Sequence, residues 1–421
     1  MLARRLGLAL VLLLLGVAGV RAQPASAAPA FVDRRVSALP AGELLHRSAF
    51  ALIDRRRQRI AEELRRFTRP LFLFWALAQI GLYVALWRTG AAARLRDALR
   101  RAVRAPFAMR WLYGASLVLL GALASLPAAF AQFRVEYDFD LTHEHTLQWA
   151  HDGLINAGLD ALIVGTIVAC VFWLVDRTRL WYLYTIGGLV AVTLLMAFLE
   201  PLVVAPLYTR YHALPQTAPL RASLERLARR AGVGEAPIEV ADLSLRSTAI
   251  VADLSGFGPT KRIVLSDALL ADATPREALF LAAREFGHYV VGDDFRLSLF
   301  WTLLFIVVTA LSVVVADRIV FRRDDDALAR LPLVFAFMGL GGLICAPLYN
   351  GYSRGLEARA DAFALALTGD RVAAVRAFVR IADETLTPIC PSPLSVFYFS
   401  NSPPLGSRIA RAQGRPDPCR D

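Results

Sequence analysis

Six long apolar stretches alternate with polar, arginine-containing segments along the chain. In order, they are Leu71–Trp87, Leu112–Phe133, Gly153–Val175, Leu180–Leu199, Leu297–Ala316 and Leu331–Tyr349. Each has roughly the 17–25 residues that a helix needs to cross the hydrocarbon core of a bilayer. The pattern therefore predicts a mainly α, polytopic membrane protein.

A seventh apolar stretch, Leu6–Val20, opens the chain. It follows Arg4 and Arg5, and small residues after it stand at the spacing that a signal peptidase requires. Residues 1–22 are therefore interpreted as a signal peptide or as a first membrane anchor. The prediction is six or seven transmembrane helices, with the choice left open.

The polar segments define the remaining organisation. We expect a polar, arginine-rich segment at 23–70, four transmembrane helices in 71–199, a polar domain at 200–296, a transmembrane hairpin at 297–349 and a polar region at 350–421. Within the polar domain, Leu220–Ala231 has helical periodicity and ends at Gly232. Ile238–Val240 and Arg262–Leu265 are typical of short strands. The inserted domain is thus expected to be mostly helical with a short β element.

Composition and charge support the membrane interpretation. Hydrophobic residues make up 56% of the 421 residues, charged residues 20%, and the mean hydropathy is +0.47, which excludes a purely soluble enzyme and a disordered or fibrous protein. Lys261 is the single lysine, so arginine accounts for nearly all of the net charge of +11. These arginines flank apolar stretches, as in membrane proteins. The expected partner is membrane lipid, and no nucleic acid is expected.

The distribution of arginine also bears on orientation. The connection between Trp87 and Leu112 carries seven arginines, which marks a cytoplasmic loop, and alternation then places the domain at 200–296 and the C-terminal tail outside. An extracytoplasmic site at a bacterial inner or plasma membrane is therefore favoured, although the arginine-rich segment at 33–69 leaves the orientation open.

Cys390 and Cys419 lie in the tail, where a disulfide would form in an oxidising compartment. The sequence does not show that they pair.

One helix is strongly predicted in the polar domain. Thr274 is a candidate N-cap, Pro275 occupies the first helical position, and Glu277 follows the cap by three residues, which together make a capping box. Gly292 is a natural C-terminal stop.

The same helix carries candidate chemistry. Arg284 and His288 are four residues apart and share a helix face, with Glu285 beside them. In H-E-x-x-H this geometry lets two histidines hold zinc while the glutamate acts as general base on the bound water, but here the first histidine is arginine. Taken alone, E-x-x-H is more typical of an ordinary interfacial helix.

A second pair of polar side chains follows the last apolar stretch. Glu357 and Asp361 are again four residues apart, so two carboxylates face one way from one helix. In isolation this spacing is typical of a solvated helical face.

The motifs together resemble the membrane zinc endopeptidases of the CAAX prenyl protease type. The resemblance covers about Leu71 to Arg411 in order, and it rests on Glu200–Tyr208, Gly256–Leu270, Arg284–Val290, Ser353–Asp361 and Ser402–Ile409. It implies an interior chamber, a zincin-like fold for the polar domain, a zinc cofactor and a peptide or protein substrate.

The resemblance also implies roles for individual residues. His288 and Glu357 would be zinc ligands, Glu285 the catalytic general base, and Asp361 the partner of the first histidine. Three positions depart from the family pattern: Arg284 replaces that histidine, Ser402 replaces the histidine of His-Pro-Pro, and Val251 stands at the asparagine of the family's Asn-Ala edge.

Arg284 changes the expected chemistry of a zinc site. A guanidinium remains protonated and has no lone pair to offer a metal, so zinc binding is expected to be weakened. We hypothesise that Arg284 replaces the metal as the electrostatic link between the two helices. The function favoured is a peptide-hydrolysing scaffold with impaired catalysis. Two alternatives remain: an altered but active site in which water or Ser402 fills the gap, and a non-catalytic chamber protein that binds or retains peptides or lipidated segments.

Overall fold

The computed structural model describes Val36 and residues 38–420, apart from Leu245, 257–259 and 320–325. The apolar stretch Leu6–Val20 lies outside the described residues, and so does the choice between a signal peptide and a membrane anchor.

The N-terminal half of the described chain is built from helices. They are α1 (Ala41–His46), α2 (Ala49–Leu52), α3 (Arg55–Arg88), α4 (Ala91–Ala102), α5 (Pro106–Asp138), α6 (Thr146–Arg177) and α7 (Trp181–Leu199), followed by a π-helical turn (Glu200–Val204) and α8 (Ala205–Tyr208). Near the end of the chain, α12 (Asp293–Ile319) and α13 (Leu331–Thr368) form an apolar hairpin.

Five helices of the described chain are long and apolar enough to cross a membrane, namely α3, α5, α6, α12 and α13. A sixth candidate is the bent pair Trp181–Met196 and Glu200–Tyr208, with an angle of 48° between its halves. Five of the six predicted apolar stretches lie within α3, α5, α6, α12 and α13, and the sixth, Leu180–Leu199, overlaps the bent pair. The prediction of a mainly α, polytopic membrane protein is confirmed.

The longest helix carries residues from the membrane to the polar domain. With 38 residues, α13 is about 57 Å long, whereas the hydrocarbon core is about 30 Å thick. A boundary between the hairpin and the polar region is predicted at 349/350, but α13 continues through that point because alanine, leucine and arginine after Gly351 favour helix. It ends at Gly369, which has a left-handed backbone with φ of +64°.

The polar domain contains a small sheet and several helices. Its strands are β1 (Tyr211–Ala213), β2 (Ile238–Ala241), β3 (Ala252–Ser255) and β4 (Arg262–Ser266), and its helices are α9 (Pro219–Ala231), α10 (Asp267–Asp272) and α11 (Pro275–Val291). The strand order is β1-β2-β4-β3, with β2 and β4 parallel and the other two pairs antiparallel. The predicted helix and two strands correspond to α9, β2 and β4, whereas β1 and β3 were not predicted.

The C-terminal region packs onto this domain. Helices α14 (Arg371–Glu384), α15 (Pro393–Phe399) and α16 (Leu405–Gln413) complete the fold. The largest buried apolar cluster joins α1 and α2, the sheet and helices α9, α11, α14 and α16, with Leu224, Phe280 and Phe378 at its centre. A disulfide joins Cys390 to Cys419 and so settles the pairing that the sequence left open.

The predicted capping box begins α11. The Thr274 hydroxyl accepts a hydrogen bond from the Glu277 N–H, and the Glu277 carboxylate accepts one of 2.7 Å from the Thr274 N–H. Glu277 is fully buried, where the Arg380 guanidinium of α14 donates to it at 3.1 Å. The cap therefore ties the start of α11 to the C-terminal region.

Loss of this cap is expected to destabilise the polar domain modestly. Thr274→Ala removes the side-chain acceptor and should lower the free energy of unfolding by about 1 kcal/mol. Chemical denaturation of the purified protein would measure the change. Thr274→Ser is the control because it keeps the acceptor; an equal loss in both variants would show that the cap is not the cause.

Candidate functional site

The candidate site lies where α11 packs against α13. Gly287 allows the close approach, because a Cβ atom placed there would lie 2.9 Å from Cδ1 of Phe363 on α13. The residues on either side of Gly287, Arg284 to His288, therefore face the C-terminal part of α13. This packing brings the two predicted motifs, otherwise 73 residues apart in sequence, into contact.

Arg284 occupies the centre of the site. Its Nη2 atom donates to Glu357 Oε2 at 2.5 Å, and its Nη1 atom donates to Glu285 Oε1 at 3.0 Å. Its Nε atom has a longer contact of 3.5 Å with Asp361 Oδ1. One guanidinium therefore contacts all three carboxylates, two of which are on α13.

A second arginine completes the neutralisation of Asp361. The Arg408 guanidinium of α16 donates two hydrogen bonds, from Nε to Oδ2 at 2.8 Å and from Nη2 to Oδ1 at 2.6 Å. The same guanidinium lies over the Phe378 ring, with its Cζ atom 4.3 Å from the ring centroid. Asp361 is only 2% exposed, so this forked pair supplies the partners that a buried carboxylate requires.

His288 is held between two carboxylates. Its Nε2 atom lies 3.5 Å from Glu357 Oε1, and its Nδ1 atom lies 3.1 Å from Asp293 Oδ2. Asp293 is 2% exposed and also accepts a hydrogen bond of 3.0 Å from Arg359. The imidazole is thus fixed on both sides.

Burial and neighbouring charges shift the pKa values of the α11 residues. Burial raises the pKa of Glu285 to about 7, against the opposing attraction of Arg284 and His288. Burial lowers the pKa of His288, but the hydrogen bond to Glu357 and the charge of Glu285 outweigh it, so the net pKa is raised. The carboxylates also raise the pKa of Arg284 against the effect of burial. The charges stabilise a cationic Arg284 and favour a protonated His288.

The structure brings five of the seven predicted site residues together. Arg284 contacts Glu285, Glu357 and Asp361, and His288 contacts Glu357, whereas Val251 and Ser402 lie on neighbouring segments. Val251 directly precedes β3, and its backbone exchanges hydrogen bonds with Ser266. Ser402 lies in the turn before α16. Among the described residues, no hydrogen bond joins either of these two to the other five.

Two residues of the site, Asp293 and Arg408, are not predicted from the sequence. Asp293 follows Gly292, and a carboxylate near a candidate histidine ligand is a recognisable signal because such ligands usually pair with one. Arg408 lies within Ser402–Ile409, but no sequence spacing connects it to its partner Asp361, which is 47 residues away.

Two regions of the chain match models of known protein families. Residues 54–210 match the family model described as CAAX prenyl protease N-terminal, five membrane helices. Residues 215–416 match the model for peptidase family M48. The second region contains all seven predicted site residues.

Individual relatives cover most of the chain. A Bacillus subtilis protein described as the uncharacterized metalloprotease YhfN is 27% identical over 84% of this chain and 85% of its own length. A rice protein (Oryza sativa subsp. japonica), CAAX prenyl protease 1 homolog, is 26% identical over 70% and 71% respectively. The crystal structure of S. mikatae Ste24p matches with a TM-score of 0.69 at 20% identity, covering 90% of this chain and 94% of that one, which shows a shared fold.

A peptidase match of this kind implies zinc, and the side chains at the site do not fit it. Among the described residues, no group of three or more histidine, cysteine, aspartate or glutamate side chains is arranged to hold a metal ion. Arg284 fills the space between the carboxylates with a permanent cation that has no lone pair. The ion pairs of Arg284 with Glu285 and Glu357 make this an ion-pair network.

Proposed function

The chain belongs to the CAAX prenyl protease-type family of membrane metallopeptidases, and we propose that it keeps the peptidase scaffold of that family while Arg284 replaces zinc as the cation of the site. The observation that carries this proposal is the position of the Arg284 guanidinium, within 3.5 Å of Glu285, Glu357 and Asp361. Peptide hydrolysis is therefore expected to be lost or severely impaired.

The physical reason is competition for the same carboxylates. A zinc ion at this place would have only His288 and Glu357 as ligands, whereas catalytic zinc sites usually have three protein ligands. It would also lie beside a guanidinium that is already paired with Glu357 at 2.5 Å. Both effects weaken zinc binding, so the role of general base proposed for Glu285 has no activated water to act on.

Metal analysis and a peptidase assay of the purified protein test this proposal. After equilibration with micromolar zinc and removal of free metal, we expect well below one zinc ion per chain and no cleavage of an unfolded peptide. Near-stoichiometric zinc together with cleavage would contradict the proposal. Cleavage without zinc would instead favour the altered active site, with Ser402 as the first residue to replace.

A second function, peptide retention without cleavage, is favoured by the sheet. β3 is the last strand in the order β1-β2-β4-β3, so one of its edges has no strand partner among the described residues, and it packs beside α11. An extended peptide could add to such an edge through backbone hydrogen bonds, which require neither zinc nor Glu285. Binding of a fluorescent unfolded peptide without hydrolysis would support this function, and absence of binding would exclude it.

We also propose that the site faces the extracytoplasmic side. The start of α3 lies against the C-terminal region that packs on the polar domain, because Gln58 donates to the Thr387 carbonyl at 3.1 Å. The other end of α3 leads to the arginine-rich α4, where Arg100 pairs with Asp326 in the connection between α12 and α13. The arginine-rich end is favoured to be cytoplasmic, and a disulfide between Cys390 and Cys419 on the opposite side agrees with an oxidising compartment.

Thiol labelling in intact cells would test this orientation. In a chain with Cys170→Ser and Cys345→Ser, a membrane-impermeant maleimide should label Cys390 and Cys419 only after an external reductant is added. A cysteine placed at the exposed Arg101 of α4 should be labelled only after the cells are opened. Labelling of Arg101→Cys in intact cells would reverse the proposed orientation.

A further inference from the structure

A cavity lies away from the candidate site, where the polar and the apolar parts of α3 meet. It has a volume of about 640 Å³ and is lined by residues of α3, α5, α13 and α15. The lining is mainly apolar and includes Leu71, Phe72 and Trp75, together with two arginines, Arg65 and Arg69. Phe72 is 40% exposed, so the cavity is open on the side of this ring.

The two arginines lack anionic partners. Among the described residues, no carboxylate oxygen lies within 4 Å of either guanidinium, in contrast to Arg284, Arg380 and Arg408. Arg69 donates to the Ser395 hydroxyl and lies 5.5 Å from the centroid of the Phe399 ring, but its buried Nε atom has no hydrogen-bond partner. Because Arg65 and Arg69 are four residues apart on one helix, their charges also repel each other.

Three other polar side chains of the cavity already donate hydrogen bonds within the protein. The Asn350 amide donates to the Tyr398 carbonyl at 2.6 Å, the Gln132 amide donates to Glu136 at 2.6 Å, and the Ser125 hydroxyl donates to the Gly121 carbonyl at 2.7 Å. A peptide backbone would need several free donors and acceptors along its length. The cavity instead offers spare donors at one end, on the two guanidiniums, and apolar side chains at the other.

The position of the cavity along α3 matches the level of lipid headgroups. The apolar stretch of α3 begins at Leu71, so Arg69 lies about 3 Å and Arg65 about 9 Å outside its first residue along the helix axis. The phosphate groups of phospholipids lie at this level of a bilayer, where arginine side chains can extend to them. Phe72 and Trp75 lie deeper, where acyl chains begin.

We propose that this cavity binds one anionic phospholipid. The phosphate pairs with Arg65 and Arg69, and the upper part of the acyl chains packs against Leu71, Phe72 and Trp75, with the rest of the chains in the bilayer. The lipid supplies the negative charge that the protein does not provide at this place. This inference does not depend on the chemistry at Arg284.

Lipid binding to the full-length protein would test the proposal. Protein purified in a neutral detergent is titrated with phosphatidylglycerol, phosphatidylcholine or inorganic phosphate, and binding is followed by native mass spectrometry and by the melting temperature. We expect phosphatidylglycerol to bind preferentially and to raise the melting temperature, and the other two to have little effect. In Arg65→Gln/Arg69→Gln the affinity for phosphatidylglycerol should fall about tenfold or more.

A matched control is available on the same helix. Arg66 is exposed and does not line the cavity, so Arg66→Gln should keep the affinity of the unchanged protein. Arg65→Gln alone guards against misfolding, because Arg65 has no hydrogen bond or ion pair among the described residues. This variant should keep the lipid-free melting temperature and still lose affinity severalfold.

Equal binding of the two lipids would overturn the proposal. An effect of inorganic phosphate equal to that of phosphatidylglycerol would assign the cavity to a free anion, and binding of a farnesylated peptide in place of the lipid would assign it to a peptide; either result overturns the proposal.

Discussion

Arg284→His is expected to raise the affinity for zinc by about a thousandfold, equivalent to ~4 kcal/mol. The substitution removes a permanent cation and adds a third ligand on the same helix face as His288. The remaining ligands are already placed, since His288 Nε2 and Glu357 Oε1 are 3.5 Å apart. Asp293 holds the other nitrogen of His288 at 3.1 Å, as carboxylates do for histidine ligands in zinc sites.

Zinc content after equilibration with micromolar zinc would measure the change, with Arg276→His as the control. Arg276 lies on the same helix, but its side chain is 63% exposed and pairs with Asp370 alone, so a histidine there has a single carboxylate beside it. Arg284→His/His288→Ala should lose the gained affinity. If Arg284→His binds no more zinc than Arg276→His, other changes have altered the site, and peptide retention becomes the better proposal.

Zinc binding need not restore hydrolysis, because two further positions depart from the family pattern. Ser402 and Val251 form no hydrogen bond with Arg284, Glu285 or Glu357 among the described residues. They therefore belong to a separate substitution experiment, in which Ser402→His is added to Arg284→His. This order of experiments separates the loss of the metal from the loss of substrate contacts.

The sequence predicts the parts of the fold that depend on local patterns. Apolar stretches of membrane-spanning length and the capping box at Thr274 are visible without tertiary information, and so are β2 and β4, whose buried valine, isoleucine and leucine residues form short runs. The strands β1 and β3 are not, because Tyr211–Ala213 and Ala252–Ser255 are short and mixed in polarity. Such segments become strands through pairing with β2 and β4, which depends on distant parts of the chain.

The same distinction applies to the site. The spacing of four residues on α11 and on α13 predicts which side chains share a face, and the charge of Arg284 predicts that it would pair with nearby carboxylates. The partner of Asp361 cannot be predicted from spacing, because Arg408 reaches Asp361 only through the packing of α16 on α14. The forked Arg408–Asp361 pair also means that Arg284 is not the sole counter-charge of the site, which limits what its removal should cost.

Arg284→Leu is expected to lower the free energy of unfolding by about 3 kcal/mol, because it leaves partly buried carboxylates without their nearest cation. The side chains of Arg284, Glu285 and Glu357 are each less than 20% exposed, so water screens the remaining repulsion poorly. Chemical denaturation in the presence of a chelator would measure the loss, since a metal must not take the vacated place. Adding Glu357→Gln to Arg284→Leu should restore part of the stability by removing one of the unpaired charges.

Arg276→Leu is the matched control for that measurement, because its exposed pair with Asp370 should contribute less than 1 kcal/mol. An equal loss in the two variants would show that Arg284 is an ordinary surface arginine and not the electrostatic link between α11 and α13.

Arg284→His supplies the opposite test in the same assay. It should be destabilised in chelator and regain stability as zinc is added, because a ligand that binds only the folded state stabilises it. Stability that responds to zinc in Arg284→His, but not in the unchanged protein, is the result expected if guanidinium and metal compete for one place.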